Sequence, residues 1–400
     1  MAVIGVVCEY NPFHRGHLLH LERCRAALGE DSRVVCVMSG DFVQRGEAAV
    51  YDKFARAEAA CRCGADLVVE LPLPWALSSA EGFARGAVSL LGALGASHLG
   101  FGSESGEAGP LLELAHTLRD PALMEELRAL LAQEGKLSFP AAREEVVRRR
   151  LGEAAALLRQ PNDILAVEYL KACEELELPL KPLAVKRLGA RHDGETAGEG
   201  RCSASELRRR IRAGESTEGE IPEGAAEVYR RERETGRELS DPSALEIALL
   251  SRLRMLDRQD FEALPDAGEG LGNRLWRAVQ EQSGLEEIAA AAKSKRYALS
   301  RLRRMCLAAA LGLRAEDPRG LPPYARILAF NAEGQALLRE RDGGCPLPLL
   351  PKPALARKLP GESERVFDLG ARAHDLYQLG LPGPARQPGE DWRRGPVRLT

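Results

Sequence analysis

Apolar positions in the first hundred residues follow two alternating habits. Residues 2–7 (AVIGVV) form a continuous run rich in β-branched side chains, the pattern of a strand buried on both faces. Leu18, Leu21, Cys24 and Leu28 then recur at helical spacing, and Gly29 stops them. The alternation repeats, with strands expected at 34–38, 66–70 and 97–101 and helices at 53–63 and 80–94. Strand, helix and strand joined by short connections predict an α/β fold, a doubly wound, Rossmann-like parallel sheet. Ligands of such sheets sit beyond the carboxyl ends of the strands. The residues to examine are therefore those just after Val7, Met38, Glu70 and Phe101.

Past residue 110 helical spacing dominates, with a charged, solvated face at 143–150 and a Gln160-Pro161-Asn162-Asp163 turn capping a helix over 164–172. A fifth strand is expected at 181–188, followed by a Gly-rich polar loop and a helix opened by Ser203-Ala204-Ser205-Glu206. Residues 214–240 are acidic and polar, as a connection between domains would be. Helices follow at 241–256 and 271–292, the second weakened at Ser283-Gly284, then a strand-like run at 324–330 and helices at 332–340 and 362–379. Residues 382–400, rich in Pro, Gly and Arg, are expected to fray. The division this suggests is a catalytic domain over 1–214, a mainly helical domain over 215–380 and a flexible tail over 381–400.

The turn after the first strand carries the strongest chemistry. It reads Cys8-Glu9-Tyr10-Asn11-Pro12-Phe13-His14-Arg15-Gly16-His17 and contains H-x-G-H where a strand hands over to a helix. A helix N-terminus offers unpaired N–H groups and the positive end of its dipole, two imidazoles add donors, and Gly16 admits close approach of a phosphate. A nucleotide site for chemistry at an α-phosphate is the consequence. No H-E-x-x-H helix accompanies the histidines, so no metal ligand set is assigned to them, and no G-x-x-x-x-G-K-[ST] is present. Gly100-Phe101-Gly102-Ser103-Glu104-Ser105-Gly106 follows the fourth strand, is one residue off the dinucleotide fingerprint, and suits a loop passing close to an adenosine. The loop Ser39 to Glu47 after the second strand reads either as a pocket for a small anion, with Gln44 and Arg45 as donors, or as a solvated turn with an Arg–Glu pair. Ser203, Ser205 and Arg208 likewise read either as a helix cap or as a clamp on phosphates.

Charge narrows the partners. Lys and Arg number 56 against 59 Asp and Glu, a net charge of −3, so a nucleic-acid partner needs a local patch. Residues 293–304 supply one: Lys293, Lys295, Arg296, Arg301, Arg303 and Arg304 with no acid among them, and Tyr297 available to stack on a base. Read as one helix, Lys293, Arg296, Arg301 and Arg304 share a broad face. Nine scattered cysteines argue against a disulfide framework, no apolar run is long enough to span a membrane, and a cytoplasmic protein is expected.

In order, GVVCEYNPFHRGH, VMSGDFVQRGEAA, DLVVELP, FGSESG, QPNDILAVEYLK, VKRLGARHD, SASELR, SKRYALSRLRRM and YARILAFNAEGQALL resemble the bacterial tRNA(Met) cytidine acetate ligase family, within the H-x-G-H nucleotidyltransferase superfamily. The resemblance implies an enzyme that uses ATP and Mg2+ to turn acetate into acetyl-adenylate. It then passes the acetyl group to the wobble cytidine of elongator tRNA(Met), and no obligate protein partner or membrane is implied. It implies catalytic roles for His14 and His17, which would neutralise phosphate charge. Its ATP site would be Val7, Cys8, Glu9, Tyr10, Asn11, Pro12, Phe13, His14, Arg15, Gly16, His17, Leu18, Leu19, His20, Gly102, Asn162, Arg187 and Leu188. Gln44 would take acetate, Ser203, Ser205 and Arg208 would close over the phosphates, and residues 293–304 would hold tRNA. Ser294, Ala298 and Arg191-His192 depart from the family pattern without touching the ATP motif. A small-molecule adenylyltransferase would keep the first domain and dispense with the basic segment, while a non-catalytic RNA-binding protein would not need the histidines.

Overall fold

The computed structural model describes residues 1–134, 138–187, 202–294, 297–317 and 320–399. Its strands are β1 (Val3–Cys8), β2 (Arg33–Ser39), β3 (Phe42–Val43), β4 (Glu47–Ala48), β5 (Leu67–Leu71), β6 (His98–Ser103), β7 (Lys181–Lys186), β8 (Ala325–Phe330), β9 (Leu349–Leu350) and β10 (Val397–Arg398). The main sheet runs β10–β8–β5–β2–β1–β6–β7 with β9 beside β8, and β3 and β4 pair as a separate hairpin. Every pairing in the main sheet is parallel except that of β5 with β8. The parallel α/β sheet expected from the alternation is the one that forms.

Alternation along β2 shows how the layers are filled. Val34, Cys36 and Met38 join Ile4, Leu21 and Phe54 in one apolar cluster, whereas Val35 and Val37 join Leu91, Leu99 and Val167 in another. Successive side chains leave opposite faces of a strand, so an all-apolar strand needs helices on both sides. The helix Ala80–Ala93 lies so close that a Cβ on Gly5 would stand 2.8 Å from Leu91. A third cluster unites the helices Ser243–Arg254, Leu271–Glu281, Leu285–Ala292 and Leu299–Leu311 with Phe42, Leu73 and Tyr377. The helical bundle is thereby seated on the loops after β2 and β5.

The sequence pattern misleads at three places. Residues 324–330 do form a strand, but β8 enters the first sheet antiparallel to β5, so the sheet is completed from the far end of the chain rather than within 1–214. Residues 382–399 are not frayed: they include the helix Glu390–Arg393 and β10, and Asp391 is fully buried. Nor is 293–304 one helix. Lys293 ends the helix Leu285–Ala292, Ser294 and Tyr297 bridge, and the next helix begins at Leu299, while Lys295 and Arg296 lie outside the described residues. All nine cysteines are free, and among the described residues no helix is long and apolar enough to cross a membrane.

Buried charge ties the end of the chain down. Asp391 accepts from Lys53 Nζ at 2.7 Å and from Arg326 Nη1 at 2.6 Å, and Lys53 also reaches Glu70 Oε1 at 2.8 Å. Next to this, His374 Nδ1 meets Asp41 Oδ2 at 2.7 Å and its Nε2 lies 3.2 Å from Glu390 Oε2. Burial opposes a charge on His374, but Asp41, Glu390 and Asp391 outweigh it and lift the imidazole to about 10. A folded value above the unfolded one gives stability that is complete below about pH 6.5 and lost as pH rises through about 10. Denaturant unfolding of wild type and His374→Gln across pH 6 to 10.5 should therefore show the wild-type advantage shrinking with rising pH. An advantage that grew with pH would contradict the pairing.

Candidate active site

β1 ends at Cys8, where Tyr10 takes a left-handed φ of +47° and turns the chain toward the helix Arg15–Leu28. His14 is the N-cap. Its Nδ1 accepts from the Gly16 N–H at 3.0 Å, and its own N–H donates to His17 Nδ1 at 3.3 Å. The rings stack with centroids 3.9 Å apart. A neutral imidazole has one acceptor and one donor nitrogen, so accepting at Nδ1 leaves each ring an Nε2–H to give. Burial, then Arg187 and Arg208, hold His14 down at about 4, and burial, then His14 and Arg187, hold His17 well below its ordinary value. The H-x-G-H pair thus presents two neutral donors at a helix N-terminus. The fixed positive charge beside the pair comes from Arg187 and Arg208.

Those histidines line a cleft of about 280 Å³ at the carboxyl ends of β1, β6 and β7. Of the expected nucleotide residues, Val7, Cys8, Glu9, Tyr10, Asn11, Gly16, Leu19, His20, Gly102, Asn162 and Arg187 line it, and so do Gln44 and Arg208. Phe13 instead is fully buried beneath the loop, its N–H donating to Tyr229 Oη at 2.9 Å, and Leu18 packs on the apolar cluster beside β1. Arg15 turns outward to the Gly219 carbonyl, and Pro12 is not on the cleft wall. Ser203 caps its helix by accepting from the Glu206 N–H at 3.1 Å, Ser205 accepts from Arg208 Nη2 at 3.3 Å, and neither lines the cleft, so the cap reading describes Ser203. Leu188 lies outside the described residues.

Arg208 reaches back across 197 residues to donate to the Asn11 carbonyl at 2.9 Å, which brings its guanidinium to the H-x-G-H loop. On the other side, Asp163 is fully buried and accepts from the Ser103 hydroxyl and from the Glu104 N–H at 3.0 Å. Asn162 donates to Glu104 Oε1. The Pro161-Asn162-Asp163 turn thus pins the loop after β6, while Gly102, near the end of β6, lies close against Arg187, whose Cγ a Cβ there would meet at 3.3 Å. Sequence reading missed Arg23, Phe83, Tyr169 and Lys186 on the wall. Tyr169 was within reach of it, since it follows Asn162 by two turns on the same helix face.

With this geometry in place, comparison with known proteins is informative. The HIGH Nucleotidyl Transferase family matches residues 1–391. The tRNA(Met) cytidine acetate ligase of Syntrophomonas wolfei is 37% identical over 422 aligned positions, covering all of both chains, and that of Acetivibrio thermocellus is 34% identical over 98% of each. The chain belongs to the tRNA(Met) cytidine acetate ligase family of HIGH nucleotidyl transferases. The fold agrees: it matches apo Thermotoga maritima TmcAL with a TM-score of 0.93 at 32% identity over the whole of both chains. It also matches TmcAL bound with alpha-thio ATP, with a TM-score of 0.91.

Two more features of this ligase-family chain bear on the site. Gln44 sits in the β3–β4 turn, its N–H donating to Glu9 Oε1 at 2.7 Å and its Nε2 to the Ser78 carbonyl at 3.4 Å. Burial raises Glu9 above its ordinary value, the Gln44 N–H opposing. The basic segment is dispersed. Lys293 is exposed, Arg303 pairs with Glu286 at 2.6 Å, and Arg301 donates to the Asp266 carbonyl at 2.6 Å and stacks over Tyr297 at 5.1 Å. Tyr297 itself donates to Glu269 at 3.1 Å. Arg304 turns inward, which removes it from the expected RNA-facing set.

Proposed function

We propose that this chain binds ATP in the H-x-G-H cleft, joins acetate to the α-phosphate, and transfers the acetyl group to the wobble cytidine of elongator tRNA(Met), forming N4-acetylcytidine. The observation that carries the reading is the stacked His14–His17 pair, two neutral donors at a helix N-terminus beside Arg187 and Arg208. An acetate oxygen attacks the α-phosphorus and the bond to the β-phosphate oxygen breaks, releasing pyrophosphate. The Nε2–H groups, the free N–H groups of the helix and the two guanidinium groups meet the charge that develops on the phosphates. The cytidine N4 amine then attacks the acyl carbon, a proton leaves the amine, and AMP departs. ATP supplies the activation, so holding the reactants together does the remaining work and no protein nucleophile is required.

On this reading Gln44 donates to the acetate carboxylate and Gly102 and Asn162 flank the nucleoside. Among the described residues no group of His, Cys, Asp or Glu side chains could hold a metal ion. Mg2+ is therefore assigned no protein cage; it would enter on the ATP phosphates, as is usual for this ion. A tRNA substrate places the reaction in the cytoplasm.

The reading is tested by incubating purified protein with ATP, Mg2+, labelled acetate and unmodified tRNA(Met) transcript, then digesting the RNA and analysing its nucleosides by mass spectrometry. Labelled N4-acetylcytidine is expected. ATP cleavage to AMP and pyrophosphate with no label in RNA would instead favour a small-molecule adenylyltransferase.

Among the described residues, exposed Lys293 and half-buried Arg303, the latter exchanging its Glu286 partner, would meet tRNA phosphates. Lys293→Gln with Arg303→Gln should raise the KM for tRNA and flatten its salt dependence by about one unit of slope per lost phosphate contact. Acetate-dependent pyrophosphate exchange into ATP should not change. Equal loss of both activities would remove this segment from the tRNA account.

A further inference from the structure

Among the described cations of the basic segment, Arg304 is the buried one. Arg304 is 7% exposed and, among the described residues, forms no ion pair with a carboxylate. Its Nη1 donates to the backbone carbonyl of Gln44 at 3.3 Å, and its Nε is buried without a partner. Asp266 attracts it and Arg301 repels it from a distance, but among the described residues no carboxylate touches it. A guanidinium removed from water without a contacting counter-charge is expensive, and a fold keeps one where it does something a neutral side chain would not.

What it touches is the loop that carries Gln44. Two residues on, Gly46 has a φ of +80°, and a Cβ there would stand 2.6 Å from the Arg304 amide nitrogen and 2.7 Å from the Arg303 carbonyl carbon. The turn is pressed flush against the helix Leu299–Leu311 with no space for a side chain between them. From the cleft side the same turn is held by Glu9, which accepts the Gln44 N–H at 2.7 Å. Gln44 is gripped at its N–H from within the cleft and at its carbonyl from the helical bundle, and these two backbone grips, with the Ser78 carbonyl that its Nε2 meets at 3.4 Å, decide where its side-chain amide lies.

We infer that Arg304 is a positioning residue for the carboxylate co-substrate, fixing the Gln44 loop from behind through the Gln44 carbonyl. The inference rests on the reading of this cleft as the ATP and acetate site. Arg304 does not touch the reacting atoms; it sets the donor that does. Its removal therefore weakens acetate binding and leaves ATP binding, which is organised on β1, β6 and β7, as it was.

The experiment is steady-state N4-acetylcytidine formation with acetate and ATP titrated separately for wild type, Arg304→Met, Arg304→Lys and Gly46→Ala. Arg304→Met should raise the acetate KM about tenfold, the effect of losing one charge-assisted hydrogen bond, with the ATP KM within about twofold of wild type. Arg304→Lys, which keeps the charge, should recover part of that loss, and Gly46→Ala, which displaces the turn, should show the same split. If Arg304→Met does not fold, the lysine and alanine variants decide. Acetate and ATP KM rising together would mark a general structural role, and an unchanged acetate KM would remove Arg304 from the reaction; either overturns the inference. A wild-type protein that makes no acetylcytidine would refute the site reading itself, and this inference with it.

Discussion

Replacing His17 with alanine is expected to lower acetylcytidine formation by about 10²- to 10³-fold, the range seen when one preorganised donor to developing charge is removed. The loss should fall on kcat, with ATP affinity little altered. On the proposed reading, Arg187, Arg208 and the helix N-terminus would still bind the ground-state phosphates, whereas the Nε2–H would be needed most as charge builds on the leaving pyrophosphate. His17 also accepts the His14 N–H at 3.3 Å, so the variant gives up part of a helix cap. That costs about 1 kcal/mol of stability, far too little to explain the loss in rate. His14→Ala should behave similarly, and the double variant should lose much less than the product of the single losses. The two rings stack at 3.9 Å and hold each other through the same cap, so removing one already disorders the other. Multiplicative losses would show two independent donors and contradict the cap geometry.

Asp391→Ala should be the most destabilising single substitution outside the apolar core. Among the described residues it leaves Lys53, whose side chain is 1% exposed, and Arg326, at 4%, with Glu70 as their one shared ion-pair partner. Breaking one partner out of a buried ion cluster costs about 3–5 kcal/mol, a large part of the 5–15 kcal/mol that holds a typical domain folded. Urea unfolding would show the midpoint fall with that magnitude. The damage should also reach the site, because the Lys53 N–H donates to Asp41 at 2.8 Å at the start of the Gln44 loop. A loss below 1 kcal/mol would mean that the cluster is open to water.

What could be read in the sequence was local. Strands β1, β2, β5 and β6, the H-x-G-H turn and the glycine loop each announce themselves within about ten residues, by continuous apolar runs or by punctuation with Gly and Pro. What could not be read depends on partners distant in the chain. Asp391 lies 338 residues from Lys53, so a Pro- and Gly-rich end that looks loose by composition is in fact fastened by two cations no pattern connects to it. β8 was visible as a strand, but its antiparallel place beside β5 follows from packing rather than from its own residues. The six cations of 293–304 looked like one helical face because a charge run carries no mark of where a helix starts. Once the helix is seen to start at Leu299, Arg304 falls among Leu302, Met305 and Cys306, all buried.

The central claim is that acetate oxygen attacks the α-phosphorus of ATP in the cleft held by His14 and His17. Acetate labelled with 18O in both oxygens, incubated with the protein, ATP and tRNA(Met) transcript, tests it directly, because the oxygen that bonds to phosphorus stays there when the acetyl group leaves. The account predicts one 18O atom in the phosphate of each AMP released, in step with the N4-acetylcytidine formed. Unlabelled AMP, or label appearing in inorganic phosphate, would contradict it.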